Sequence, residues 1–573
     1  MKILADMHAD LIEAERRGRL VSALVSEERR ERRRELGDIL CELHNAELID
    51  LTSDQNLLAI DALEHNEFWT VNHPLEKAIP NLECSHQDIL KLVRTLVKKA
   101  GADLAAGMPN LSLAKWSKNN PDKAREIIEG VKELDEFCLA HGVFAVVGLG
   151  DEALVFDLVR HANVLVSVVG LRALGRMEAL SVNGVKEGVD SALGVIERER
   201  DANVRAAAIE AAFMLWEKLG PLKPYRQQEF IGAIGKRGDS TEISILSTML
   251  SYRNRGLPKE SITRVLGLLE TVTANSDSTL RNLDHAIKKN DERWDFEHVA
   301  SVFATLIPHL DEQPNQRDYY TFSSWVWSDP QHASYLFARW FDCGEIHLCS
   351  FLSELLNLDA KGTAVWIRKP HLPQDAYDQI FIARKCVGFL WNHEVAAASI
   401  LLSIVKNGRA EARAVAEELL FNPLLLSYGG DLRDFLETQR GSNSKRISAC
   451  VKRLLSRQDE HFAGLEVADT LVELLPTNEQ RRAASLKDQE RNREIQKRAH
   501  EQSVLASLMT RKTLLYGRKS FFVVHGADGE KHPTISPLAE ISHSTELPRL
   551  LVIDPVGFNA MISFFRFEQR RLA

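Results

Sequence analysis

The 573-residue chain carries 72 Lys plus Arg against 81 Asp plus Glu, a formal net charge of −9, with 45% hydrophobic and 27% charged residues. This is the composition of a folded chain, long enough for several domains or for one extended repeat array. The acidic balance excludes bulk attraction to phosphate backbones and leaves that role to local basic faces. The 7 cysteines are scattered without a CxxC pair, no secretory h-region opens the chain and no apolar run reaches membrane-spanning length, so a cytoplasmic protein with no membrane contact is expected.

In chain order, residues 1–120 alternate charged helices with turns. Leu20, Val21, Leu24 and Val25 recur at helical spacing, while the run Arg29, Arg30, Arg32, Arg33 and Arg34 faces water. VFAVVGLGDEALVFDLVR follows, in which Gly148, Gly150 and Ala153 form a GxGxxA pattern between a strand-like run and a helix-like one. No acidic residue stands about 20 positions on, and no βαβ series surrounds the pattern, so a helix-to-helix turn is the better reading and no cofactor is expected.

From 151 to 220 the helices are easy to count. NVLVSVVGLRALGRM begins at Asn163 and DANVRAAAIEAAFMLWEKLG at Asp201, with a 40-residue offset from Asn163 to Asn203. Val204, Ala208, Ala211 and Leu215 make an apolar stripe whose small residues let a neighbouring helix come close. Asp201, Val204, Arg205, Ala208 and Ala212 follow a D-x-x-V-R-x-x-A-x-x-x-A pattern, and on these residues the stretch 163–220 resembles a HEAT or armadillo repeat. That resemblance implies packing roles for Val204, Ala208 and Ala212, and polar positions at Asp201 and Arg205 that tie adjacent repeats together. It also implies an α-solenoid, a fold whose members commonly serve as interaction platforms.

The resulting expectation is a mainly α chain, an α-solenoid of HEAT-like repeats with a small C-terminal α+β module. Repeats occupy residues 121–310, an irregular aromatic-rich insertion or helical segment 311–385, and further repeats 386–476. A charged connecting helix spans 477–511. The C-terminal mixed module, 512–573, includes KTLLYGRKSFFVVHGADGEKHPTI and ELPRLLVIDPVGFNAMISFFRFEQRRL, whose aromatic and β-branched runs broken by Gly, Asp and Pro favour strands and turns.

Four constellations carry candidate chemistry. Tyr319, Tyr320, Trp325, Trp327, Arg339 and Trp340 form either an exposed partner-binding pocket or core filling under an irregular segment. Arg481, Arg482, Lys487, Arg491, Arg493, Lys497 and Arg498 would contact phosphates if they converged, although interspersed Glu also suits a solvated helix. Asp342, Cys343, Glu345, His347 and Cys349 lie within eight residues and supply metal-ligand types, yet lack the second separated pair of a structural zinc site. His525, Asp528, Glu530, His532, His543 and Asp554 stand in predicted loops, where GADGE and DPVG read as tight turns.

No GxxxxGK[ST], HExxH or GxSxG is present. The expected function is a protein-interaction scaffold or adaptor with another protein as partner. The alternatives are a nucleic-acid-binding helical-repeat protein and a metal-dependent hydrolase or nuclease.

Overall fold

The computed structural model describes residues 2–25, 33–101, 107–198, 201–272, 276–288, 291–357, 363–502, 509–510, 519–525, 531–537 and 548–570. It is mainly helical, and its contacts divide it into two compact units, residues 1–332 and 333–573.

The first unit holds α1 (Lys2–Arg16), α2 (Leu20–Val25), α3 (Arg33–Asn45), α4 (Asp54–Asp61), α5 (His65–Ala78), α6 (His86–Ala100), α7 (Met108–Asn119), α8 (Pro121–Lys132), α9 (Glu136–Leu149) and α10 (Glu152–Val159). It continues through α11 (Val164–Arg176), α12 (Val182–Arg198), α13 (Ala202–Leu219), α14 (Gln227–Arg237), α15 (Ser240–Arg253), α16 (Lys259–Leu269), α17 (Ser276–Ala286), α18 (Phe296–Leu306) and α19 (Tyr320–Val326). Most of these helices pack on a sequence neighbour and on the helix two further along. The odd-numbered helices from α3 to α19 form one such row, and α10, α12, α14, α16 and α18 form another.

Local sequence explains the starts and stops. Ser53, Ser85, Asp135, Asp151, Asn163, Asp201, Asp239 and Asp295 each sit at an N-cap and accept a hydrogen bond from the first turn's backbone N–H groups, which otherwise lack partners. Caps fall at residues 163, 201 and 239, two equal steps of 38 residues. The counterpart of Asn163 is therefore Asp201. Asn203, the residue matched by the 40-residue offset, lies inside α13. Asn and Asp do the same capping work, so chemistry and not residue identity sets the register.

The GxGxxA stretch contains no strand. Residues 143–149 complete α9, Gly150 ends it in the left-handed conformation (φ 66°), and Asp151 caps α10. Gly148 is where α9 approaches α7, since a Cβ there would lie 2.2 Å from the Ala114 carbonyl oxygen.

The second unit contains α20 (Pro330–Cys343, which begins just before it), α21 (Ile346–Leu356), α22 (Ala376–Leu390), α23 (Glu394–Asn407), α24 (Ala410–Leu419), α25 (Asp431–Gln439) and α26 (Lys445–Asp469). Then come α27 (Asn478–Gln502), the strands β1 (Met509–Thr510), β2 (Lys519–His525) and β3 (Lys531–Pro537), and the helices α28 (Arg549–Ile553) and α29 (Pro555–Phe567). The strands pair antiparallel in the order β1-β2-β3, with Phe522 opposite Thr534.

Much of 311–385 is helical, through α19, α20, α21 and the start of α22. Its extended part, AVWIR, is neither a helix nor a paired strand. The amides of Val365 and Ile367 donate to the buried hydroxyls of Ser399 and Ser403 on α23 (2.7 and 3.0 Å), and the Arg368 amide donates to Ser334 (2.7 Å). Serines placed in the core thus satisfy a segment that has no ladder of its own.

The expectation of strands and turns fails for residues 549–567, which form α28 and α29. DPVG is the start of a helix, not a turn: Asp554 accepts from the Gly557 amide (2.9 Å) and Pro555 occupies the first helical position. Phe558, Ile562 and Phe565, spaced i, i+4, i+7, are the buried face that marks the helix.

Candidate functional sites

The first unit's helices are joined by long polar side chains that reach far along the chain. Arg94 meets Glu136, Arg226 meets Asp190, Arg253 meets Glu217, Arg281 meets Asp318, Arg237 reaches the Glu197 carbonyl and Arg293 the Asn254 carbonyl, over separations of 36 to 42 residues. Most of these pairs are solvated and add little energy individually. Arg205 is different. It is 6% exposed and hydrogen-bonds Glu242, itself 2% exposed, with Asp239 4.0 Å away at the next cap. The Glu242 hydrogen bond raises the Arg205 pKa above its ordinary value, against the opposing cost of burial. Arg205 on α13 is thus tied to Glu242 on α15.

The aromatic constellation is divided between the two units. Tyr319, Trp325 and Trp340 are buried, at 1%, 5% and 1% exposure. In the first unit Phe303 stacks on Phe322 (4.0 Å) and meets Tyr319 edge-on (5.5 Å), while Trp325 stands edge-on to Phe296 (5.2 Å). In the second unit Trp340 packs against Phe351 at 5.9 Å. Large rings bury the most area when surrounded by other rings, and this outweighs display to a partner. Tyr320 is exposed, Trp327 half-buried and Arg339 exposed. The three buried rings are core.

The residues from Asp342 to Cys349 have separate tasks. Asp342 receives the Arg570 guanidinium (3.3 Å), and burial pushes its carboxyl pKa up despite that cation. Cys343 is an exposed thiol. Glu345 caps α21 by accepting from the Leu348 amide (2.8 Å), His347 is half-buried on the same helix, and Cys349 is buried with its thiol pKa raised by burial. Among the described residues, no three His, Cys, Asp or Glu side chains form a set that could hold a metal ion.

Arg481, Arg482, Lys487, Arg491, Arg493, Lys497 and Arg498 all lie on α27, and every side chain from Asn478 to Arg498 is exposed. At about 100° per residue these cations are spread around the helix and do not gather on one face. His525 and His532 lie in β2 and β3; their side chains, and all of Asp528, Glu530 and His543, lie outside the described residues, as do the GADGE loop, the cations Arg29, Arg30 and Arg32, and the side chains of Arg33 and Arg34, whose backbone opens α3.

One assembly within the second unit was not foreseen from the sequence. α29 lies on α22, with Phe558 edge-on to Trp391 (5.5 Å) and Phe565 over Gly388, where a Cβ would come within 3.1 Å of the Phe565 Cβ. Lys385, buried, donates to the Arg566 carbonyl in the last turn of α29 (2.6 Å), and Arg566 donates back to the Gly388 carbonyl (2.6 Å). Beyond the helix end, Glu568 pairs with Arg384 (2.8 Å), and Arg570 with Asp378 (2.9 Å) as well as Asp342. Burial holds the Lys385 and Arg566 pKa values below their ordinary ranges. The hydrogen-bonded partners among these are 178 to 228 residues apart in sequence.

No known family model matches the chain, and no curated protein matches it. Among solved structures, the crystal structure of an engineered protein aligns over 77% of this chain and 98% of its own, at 13% identity and a TM-score of 0.20. A likeness at that score carries no argument about fold or function. No helix among the described residues is long and apolar enough to cross a membrane.

Proposed function

We propose that the chain is a protein-interaction scaffold, built as an α-solenoid of HEAT-like repeats with a small C-terminal module in which the β1–β3 strands and the last helices are combined. The observation that carries this reading is the regular step of the first unit: capping residues 38 apart at 163, 201 and 239, helices packed on the helix two further along, and polar ties spanning 36 to 42 residues. Stacked helix pairs of this kind bury their apolar faces against each other and leave a long surface of solvated side chains, which suits recognition of another protein. A fold alone never fixes a function, so the reading needs a binding experiment.

The test is purification of the untagged protein from its native cells, with identification of co-eluting proteins, bound nucleic acid and metal in one fraction. A stoichiometric protein partner whose cross-links map to the α9–α18 surface is the expected result. Bound nucleic acid or a stoichiometric divalent ion, with no protein partner, would overturn the reading.

A further inference from the structure

We propose that the α20 and α22 face of the second unit is a helix-binding groove and that α29 fills it in cis as a releasable plug. The trans partner is an amphipathic helix of the same pattern: apolar residues at i, i+4 and i+7, an acidic residue three positions after the last of these, and a basic residue two beyond that.

The groove is chemically specific along its whole length. At one end Trp391 receives an aromatic ring. In the middle Gly388 removes the side chain that would hold a second helix away, letting Phe565 and the Arg566 backbone approach. At the other end the buried Lys385 ammonium meets the carbonyl of the last helical turn, where the helix dipole favours a cation. Arg384 then selects an acidic residue at position 568, and Asp342 with Asp378 selects a basic one at 570. This is helix-in-groove recognition made within one chain.

Three features make the occupant exchangeable. α29 buries three apolar side chains, Phe558, Ile562 and Phe565, whereas α23 buries its apolar residues on all sides. The outer face of α29 is apolar and exposed at Val556, Phe564 and Phe567. Helices α21 to α26 pack on sequence neighbours within the unit, through contacts that do not involve α29. An empty groove would leave Lys385 buried without its carbonyl, so replacement by another helix is favoured over simple release.

The test uses the full-length protein and a fluorescent synthetic peptide of residues 554–570, read by anisotropy. A full-length variant with Phe558→Ser, Ile562→Ser and Phe565→Ser weakens the plug and leaves the groove intact. It should bind the peptide at least about tenfold more tightly than the wild type, because the cis helix no longer competes at high effective concentration. Adding Arg384→Glu should remove that gain, and a peptide carrying Glu568→Arg should restore it. Equal binding to variant and wild type, or failure of the charge exchange to restore binding, overturns the proposal. So does loss of hydrogen-exchange protection across α22 to α24 in the triple variant, which would make α29 part of the core. Because the probe is a peptide of this chain, its failure alongside a co-purifying partner would remove the groove and leave the scaffold reading standing.

Discussion

The helices of the first unit and the chain beyond residue 470 use the same residue types in opposite ways. In α13, ten residues are buried, the cap is an Asp, and Arg205 is spent on a buried pair with the adjoining helix pair. In α27 every side chain from Asn478 to Arg498 is exposed, and arginines outnumber large apolar residues. α29 lies between these extremes, with a narrow apolar face and a terminus fixed mainly by charge. Packing of helices on the helix two further along spreads stability over the row. A helix outside the row depends on whatever single surface it finds.

The contrast is sharpened most by truncating a ring that was a candidate for partner binding. Trp325→Ala or Trp340→Ala should cost about 3–5 kcal/mol, as loss of a buried aromatic does, measured by urea unfolding. Tyr320→Ala, at an exposed site, should fall within about 0.5 kcal/mol. Equal effects for the buried and exposed positions would break the assignment of Trp325 and Trp340 to the core.

Arg205→Met should cost about 3 kcal/mol or more, because it leaves the Glu242 carboxylate buried without its cation. The double change Arg205→Met with Glu242→Leu should recover most of that loss in the same unfolding assay. A double variant as unstable as the single one would show that packing, and not the ion pair, joins these helix pairs.

A pH effect follows from α9. His141 is buried and hydrogen-bonds Asn110 (3.0 Å), and burial lowers its pKa to about 4 from 6.5. The unfolded chain therefore takes up the proton first as pH falls, so stability present above pH 6.5 is lost progressively down toward pH 4. Between pH 7 and pH 5 the loss should be about 2 kcal/mol, and His141→Gln should flatten this part of the profile. An unchanged slope in the variant would assign the pH dependence to other groups.

Legibility in the sequence followed the length scale of each contact. Capping residues and aliphatic stripes act within a turn or two, so Asp201, Val204 and Ala208 are readable as the cap and buried stripe of a helix. The register was misjudged by two residues because Asn163 was matched to another Asn instead of to a residue doing the same job. Aromatic runs were ambiguous, since Tyr319 and Trp325 carry the same letters whether buried or displayed. In the last two helices, Val552, Ile553 and Val556 suggest strands, while the i, i+4, i+7 spacing of Phe558, Ile562 and Phe565 is the signal that decides the structure of α29. The groove on α22 was not readable at all. Its pairs, such as Arg384 with Glu568, are separated by 184 residues, and no local pattern links them.

Smaller effects probe the regular step itself. Asp201→Ala and Asp239→Ala should each cost about 1 kcal/mol, the usual value of an N-cap, and Asp239→Ala should cost the more because it also removes the charge 4.0 Å from Arg205. At the far end of the scale is α27. A helix that is polar all round gains its stability from propensity and from pairs one turn apart, each worth a few tenths of a kcal/mol. Arg491→Gln or Arg493→Gln should therefore shift unfolding of the protein by less than about 0.5 kcal/mol, while the α27 amides exchange far faster than those of α13. Slow exchange in α27 would mean that a partner or another surface covers it, and the difference between the helices of the first unit and α27 would then be one of occupancy and not of design.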